Sequence, residues 1–227
     1  MNTETIQTSF TASKSSGNVS AILMRPKDAD LLLVLAHGAG AGMRQKFLEA
    51  MAHRLAEHKI ATFRYQFPYI EKGSKRPDPK PILLATVRSA VEAAAKLAGD
   101  LPLFAGGKSM GGRMTSNADA ESSLPKVRGI IFFGFPLHPP GQPGAERADH
   151  LAKVSVPMLF LQGTRDALAD LKLLKPIVKR LTMATMDIIE GADHSFHVPK
   201  SSGRTDDDIL EELAGIVKDW TSRLKIS

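Results

Sequence analysis

The chain has 227 residues, no cysteine, and 30 Lys and Arg against 24 Asp and Glu, for a formal charge of +6. That length suffices for one α/β domain, 1–227, with a sizeable core, and the missing thiols exclude a disulfide framework, a thiolate metal site and a cysteine nucleophile. The cations are interspersed with acids, which argues against nucleic acid as a partner. Residues 1–17 carry no apolar h-region and the longest apolar run, 31–36, is far too short to cross a bilayer, so a soluble, cytoplasmic protein is expected.

In chain order, residues 1–17 form a polar start, either flexible or an edge strand in which 8–12 pairs with a strand at 19–24, followed by a turn at 25–28. Residues 31–36 are continuously apolar, as a central strand buried on both faces must be, and they end in the glycine-rich loop His37 to Gly42. Phe47, Leu48, Met51 and Leu55 recur at helical spacing within 44–58. A strand at 60–63 then leads into a long polar loop, 71–80, with Lys72, Lys75, Arg76 and Lys80 against Glu71 and Asp78. Pro81 can open the next helix and Gly99 can close it. A short strand at 101–105 precedes the turn Gly106 to Gly112, with Ser109 at its apex and a helix expected from about Arg113.

Beyond that turn, 129–134 and 158–162 read as two more buried strands, separated by a proline-rich connection with a short helical piece at 146–153, too little chain for a lid. Residues 167–181 are helical but should break before Pro176. A last strand spans 184–190. The final helix has Thr205 as its cap, three aspartates at its positive end and Ile209, Leu213, Ile216, Val217, Trp220 and Leu224 as its apolar stripe. Short apolar runs alternating with helical periodicity predict a mainly parallel sheet with helices on both faces.

In such a sheet the loops leaving the carboxyl ends of the strands share one edge. That edge receives His37-Gly38-Ala39-Gly40, Ser109, Gly163-Thr164-Arg165-Asp166 and Gly191-Ala192-Asp193-His194. A serine hydroxyl needs a base to take its proton, and a carboxylate must hold that base in the right tautomer. Ser109, His194 and Asp166 supply these roles in the order Ser, Asp, His. The oxyanion needs fixed donors, which the backbone N–H of Met110 and that of Ala39 or Gly40 can provide, Ala39 being preferred.

His197 competes with His194 as base, and Asp170, Asp193 and Asp149 compete with Asp166. His37 is expected to brace its loop, and His53 and His58, five apart on one helix, to be solvated. A phosphate-binding reading of Gly107-Lys108-Ser109 fails because Pro102 stands where a P-loop needs glycine. No metal site and no cofactor are expected. The basic loop 72–80 should lie at the site's edge, where it would favour an anionic ester.

The glycine loop, the Gly-Lys-Ser-Met-Gly elbow, the Gln-Gly-x-x-Asp acid loop and the Gly-x-Asp-His loop resemble those of the α/β-hydrolase superfamily. The stretches 35–43, 63–68 and 192–197 resemble a small group of lidless dienelactone-hydrolase-like predicted hydrolases, a group that also resembles the hydrolase-like subunit of an animal histone-acetylating complex. The resemblance implies an α/β-hydrolase fold with a minimal cap and a serine hydrolase acting on a carboxylic ester or thioester, with a small-molecule ester as partner. It departs from the dienelactone hydrolases in one respect, since Ser109 stands where they use cysteine. The competing reading is a catalytically silent interaction scaffold that has kept the fold.

Overall fold

The computed structural model describes residues 2–224. Eight strands form one sheet: β1 (Thr3–Ser13), β2 (Gly17–Pro26), β3 (Leu31–Ala36), β4 (Ile60–Tyr65), β5 (Leu103–Lys108), β6 (Val127–Phe133), β7 (Met158–Gly163) and β8 (Ala184–Ile189). Their order is β1-β2-β4-β3-β5-β6-β7-β8. The first two strands run antiparallel, and β3 through β8 are parallel. The strand β1 is much longer than the segment 8–12 expected from the sequence. Its polar residues conceal it because it is an edge strand with exposed faces.

Every residue of β3 is buried, and alternation divides its side chains between two layers. Leu32, Val34 and Ala36 belong to one apolar cluster, with α3 (Lys80–Ala98), α4 (Met110–Glu121) and α5 (Leu171–Lys179), whereas Leu31, Leu33 and Leu35 belong to the other, with α1 (Lys46–Glu57) and α6 (Asp206–Arg223). The neighbours of β3 are β4 on one side and β5 on the other, so the sheet is wound in both directions from β3. The loops after β3 and β5 therefore diverge around a crevice at the carboxyl edge, the usual ligand position in open α/β sheets.

Three local expectations are corrected. The segment 68–71 is a short helix, α2 (Pro68–Glu71), opened by a proline at its first position, so the polar loop starts one residue later. The helix α5 begins after its Asp170 cap and runs through Pro176 instead of breaking there. Pro176 removes one hydrogen-bond donor, but burial of Leu174 and Val178 on the same face holds the helix in place. The turn around Ser109 is far tighter than expected. Gly106, Gly107 and Lys108 belong to β5, and α4 already starts at Met110. Among the described residues no helix is long and apolar enough to cross a membrane.

Candidate active site

Ser109 alone makes the turn from β5 into α4, at φ 53° and ψ −120°, in the half of the map that strains any residue with a Cβ. Its N–H donates to the Phe133 carbonyl at 3.1 Å, tying the turn to β6. A Cβ on Gly107 would stand 2.3 Å from the Ala36 carbonyl oxygen, and one on Gly111 2.4 Å from the same atom. β3, β5 and α4 meet here because both positions lack a side chain.

The strand-end residues converge. Ser109 Oγ lies 2.8 Å from His194 Nε2, and His194 Nδ1 lies 2.7 Å from Asp166 Oδ2. With a carboxylate facing Nδ1, the ring carries its proton there and leaves Nε2 free to accept the serine's. Asp166 is buried, and it also accepts from Gln162 Nε2 at 2.5 Å and from the Leu168 N–H at 2.8 Å. Burial pushes its carboxyl pKa up, but the His194 bond and charge, the Leu168 amide and the Lys108 charge outweigh that and hold it below the usual carboxylate range.

The rival residues are occupied elsewhere. His197 is exposed and faces Asp206 at 2.9 Å. Asp193 accepts from the Ser195 and His197 amides and so braces the loop that presents His194. Asp170 caps α5 through the Lys172 N–H, and Asp149 is exposed on the 3-10 segment Glu146–Lys153. His58 is not merely solvated, since its Nε2 lies 2.8 Å from Glu211.

His37 braces the glycine loop as expected. Its buried ring donates from Nδ1 to the Gly38 carbonyl at 2.7 Å and accepts the Phe67 N–H at Nε2. Desolvation lowers its pKa to about 4, so the ring is neutral. The Gly40 N–H donates to the Tyr69 hydroxyl at 3.0 Å, which commits that amide to the fold. Ala39, Ser109 and Met110 lie together on the wall of a cavity of about 560 Å³.

Three cationic residues, Lys108, Arg113 and Arg147, were given no role from the sequence. Lys108 is buried directly before Ser109, and its Nζ donates to the His194 carbonyl. The same ammonium sits 5.7 Å from the centre of the Phe47 ring and 5.3 Å from that of Phe196. The basic loop reaches the cavity through Pro77, Asp78 and Lys80, whereas Lys75 and Arg76 are exposed outside its lining. Arg113 and Arg147 complete the cationic wall. The spacing of Arg113, one helical turn after Ser109, was the available signal; nothing in the local sequence marks Arg147.

Residues 29–222 match the family model described as the alpha/beta hydrolase domain, and the chain belongs to that family. A dienelactone hydrolase from Anabaena variabilis is similar over 99% of both chains at 18% identity, with a TM-score of 0.76. An α/β serine hydrolase without a lid from Xanthomonas campestris is 19% identical over 97% of this chain and 96% of its own, with a TM-score of 0.73. The esterase Est1E from Butyrivibrio proteoclasticus is 17% identical over 96% of this chain and 98% of its own, with a TM-score of 0.71. These likenesses establish the fold, and the resemblance to lidless, dienelactone-hydrolase-like proteins holds at that level.

Proposed function

We propose that this chain is a single-domain serine hydrolase that cleaves a carboxylic ester or thioester through an acyl-enzyme. The observation that carries this reading is the continuous hydrogen-bonded series from Ser109 through His194 to Asp166 on the strained turn beside the cavity. Ser109 Oγ attacks the carbonyl carbon while its proton passes to His194 Nε2, and Asp166 stabilises the imidazolium that results. The oxyanion accepts from the Ala39 and Met110 amides. Collapse of the tetrahedral intermediate expels the alcohol or thiol, which takes the proton from Nε2. Water then repeats the sequence on the acyl-enzyme, releasing the carboxylic acid and restoring Ser109. The likeness to a dienelactone hydrolase and to the esterase Est1E supports an ester as substrate.

Ser109→Ala is expected to lower kcat for a short 4-nitrophenyl ester by at least about a thousandfold while leaving the folded state intact. A fluorophosphonate probe should add covalent mass to Ser109 in the unmodified protein and none in the variant. Folded protein that neither hydrolyses an ester nor takes the label would favour the scaffold reading instead.

A further inference from the structure

Two arginines that the proposed chemistry does not use stand on the wall of the cavity beside Ser109. Arg113 projects from α4 about one turn after the nucleophile, and Arg147 comes from the 3-10 segment Glu146–Lys153, which packs on that helix. Among the described residues neither forms an ion pair. The Nε of Arg113 is buried with no hydrogen-bond acceptor.

Two arginines elsewhere in the chain are ion-paired, Arg54 with Glu57 and Asp207, and Arg204 with Glu212. Within the cavity lining, Lys80 faces Glu121 at 3.5 Å, and the one acid, Asp78, accepts the Tyr69 N–H at 2.9 Å. Within that lining the cations without an acid partner are therefore Arg113 and Arg147. Burial lowers the Arg113 pKa, and the charge of Arg147 lowers it further, so the two guanidiniums sit within each other's field.

The two segments that carry these arginines are clamped together. His150 Nε2 lies 2.7 Å from Ser116 Oγ and 3.1 Å from Asn117 Nδ2, joining the Arg147 segment to the helix that carries Arg113. Desolvation, with the charges of Arg113 and Lys80, lowers the His150 pKa to about 4, so this clamp stays neutral and adds no third charge. Leu83, Met114, Pro136 and Leu168 make the remaining wall apolar. Two neighbouring guanidiniums with no acid partner, that of Arg113 partly desolvated, attract an anion, and their planar forks match a carboxylate.

We propose that the cavity selects esters whose acyl chain is short and apolar and ends in a carboxylate held by Arg113 and Arg147, that is, monoesters of dicarboxylic acids. This rests on the hydrolase reading above. The test compares mono-4-nitrophenyl succinate, glutarate and adipate with 4-nitrophenyl esters of neutral acids of matching chain length. At least one anionic ester should exceed its neutral counterpart in kcat/KM by about tenfold or more, with the gain falling as salt is raised. Arg113→Gln and Arg147→Gln lie on separate elements, and each should bring that ratio toward unity, mainly through KM of the anionic ester. Neutral esters hydrolysed by Ser109 as fast as anionic ones, or a ratio unmoved by both substitutions, would overturn the carboxylate proposal alone. No hydrolysis of any ester by folded protein would remove the hydrolase reading, and this proposal with it.

Discussion

Ser109, Lys108 and His194 form one mechanical unit, because adjacent residues of a single β5–α4 junction hold both the side chain and the backbone of the histidine. Ser109 Oγ meets Nε2, and Lys108 Nζ donates to the carbonyl of the same residue. Under the proposed mechanism, Lys108 would act through His194 as a positioning residue, without touching substrate. Lys108→Met keeps an unbranched side chain of similar length beside the stacked Phe47 and Phe196 rings but removes the bond. The expected result is a fall in kcat of about tenfold with KM changed much less, and no loss of stability, since a buried ammonium is removed at the same time. Equal kcat in the variant would reduce Lys108 to packing. The same substitution explains why part of the site was legible and part was not. Ser109, Asp166 and His194 follow strands directly, so chain order alone places them on one edge. Lys108 lies inside β5, where a turn was expected, and Arg147 reaches the cavity only because His150 docks its segment on α4.

At the scale of elements, the strands buried on both faces were plain from their apolar runs, and β3 lies at the residues expected for it. The pairing of 8–12 with the second strand is as expected, but the full length of β1, the short α2 and the continuation of α5 through Pro176 were not legible, because each depends on contacts outside its own segment. The start of α6 shows the opposite case, in which local chemistry suffices. Thr205 Oγ1 accepts the Asp208 N–H at 3.1 Å, and the Asp208 carboxylate accepts the Thr205 N–H at 2.7 Å, closing a reciprocal cap. Thr205→Ala should cost about 1 kcal/mol in urea unfolding. It should leave kcat/KM unchanged, because α6 covers the sheet and contributes nothing to the cavity lining. A changed kcat/KM would show that the helix start controls the nearby 191–197 loop.

For the whole molecule, the buried titrating groups set a stability optimum on the alkaline side of neutrality. Desolvation lowers both His37 and His150 from an ordinary value of 6.5 to about 4. As pH falls through 6.5 the unfolded chain takes up protons at these rings while the folded chain does not, so stability falls between about pH 6.5 and 4. At about 1.4 kcal/mol for each pH unit, the loss approaches roughly 3 kcal/mol for His37 and less for His150, which is more solvated. Lys108 acts at the other end. Burial lowers it from 10.5 to about 8, so above pH 8 the folded chain sheds a proton that the unfolded chain keeps, and stability rises. Burial of Tyr65 raises its pKa from 10.0, so above pH 10 the unfolded chain ionises first and stability falls again. These opposing limbs predict a maximum near pH 10, measurable as the urea midpoint across pH 4 to 11. Lys108→Met should remove the rise between pH 8 and 10 without altering the acid limb. A wild-type maximum at pH 5 to 7 would mean that the rings and the ammonium reach solvent far more readily than their burial implies.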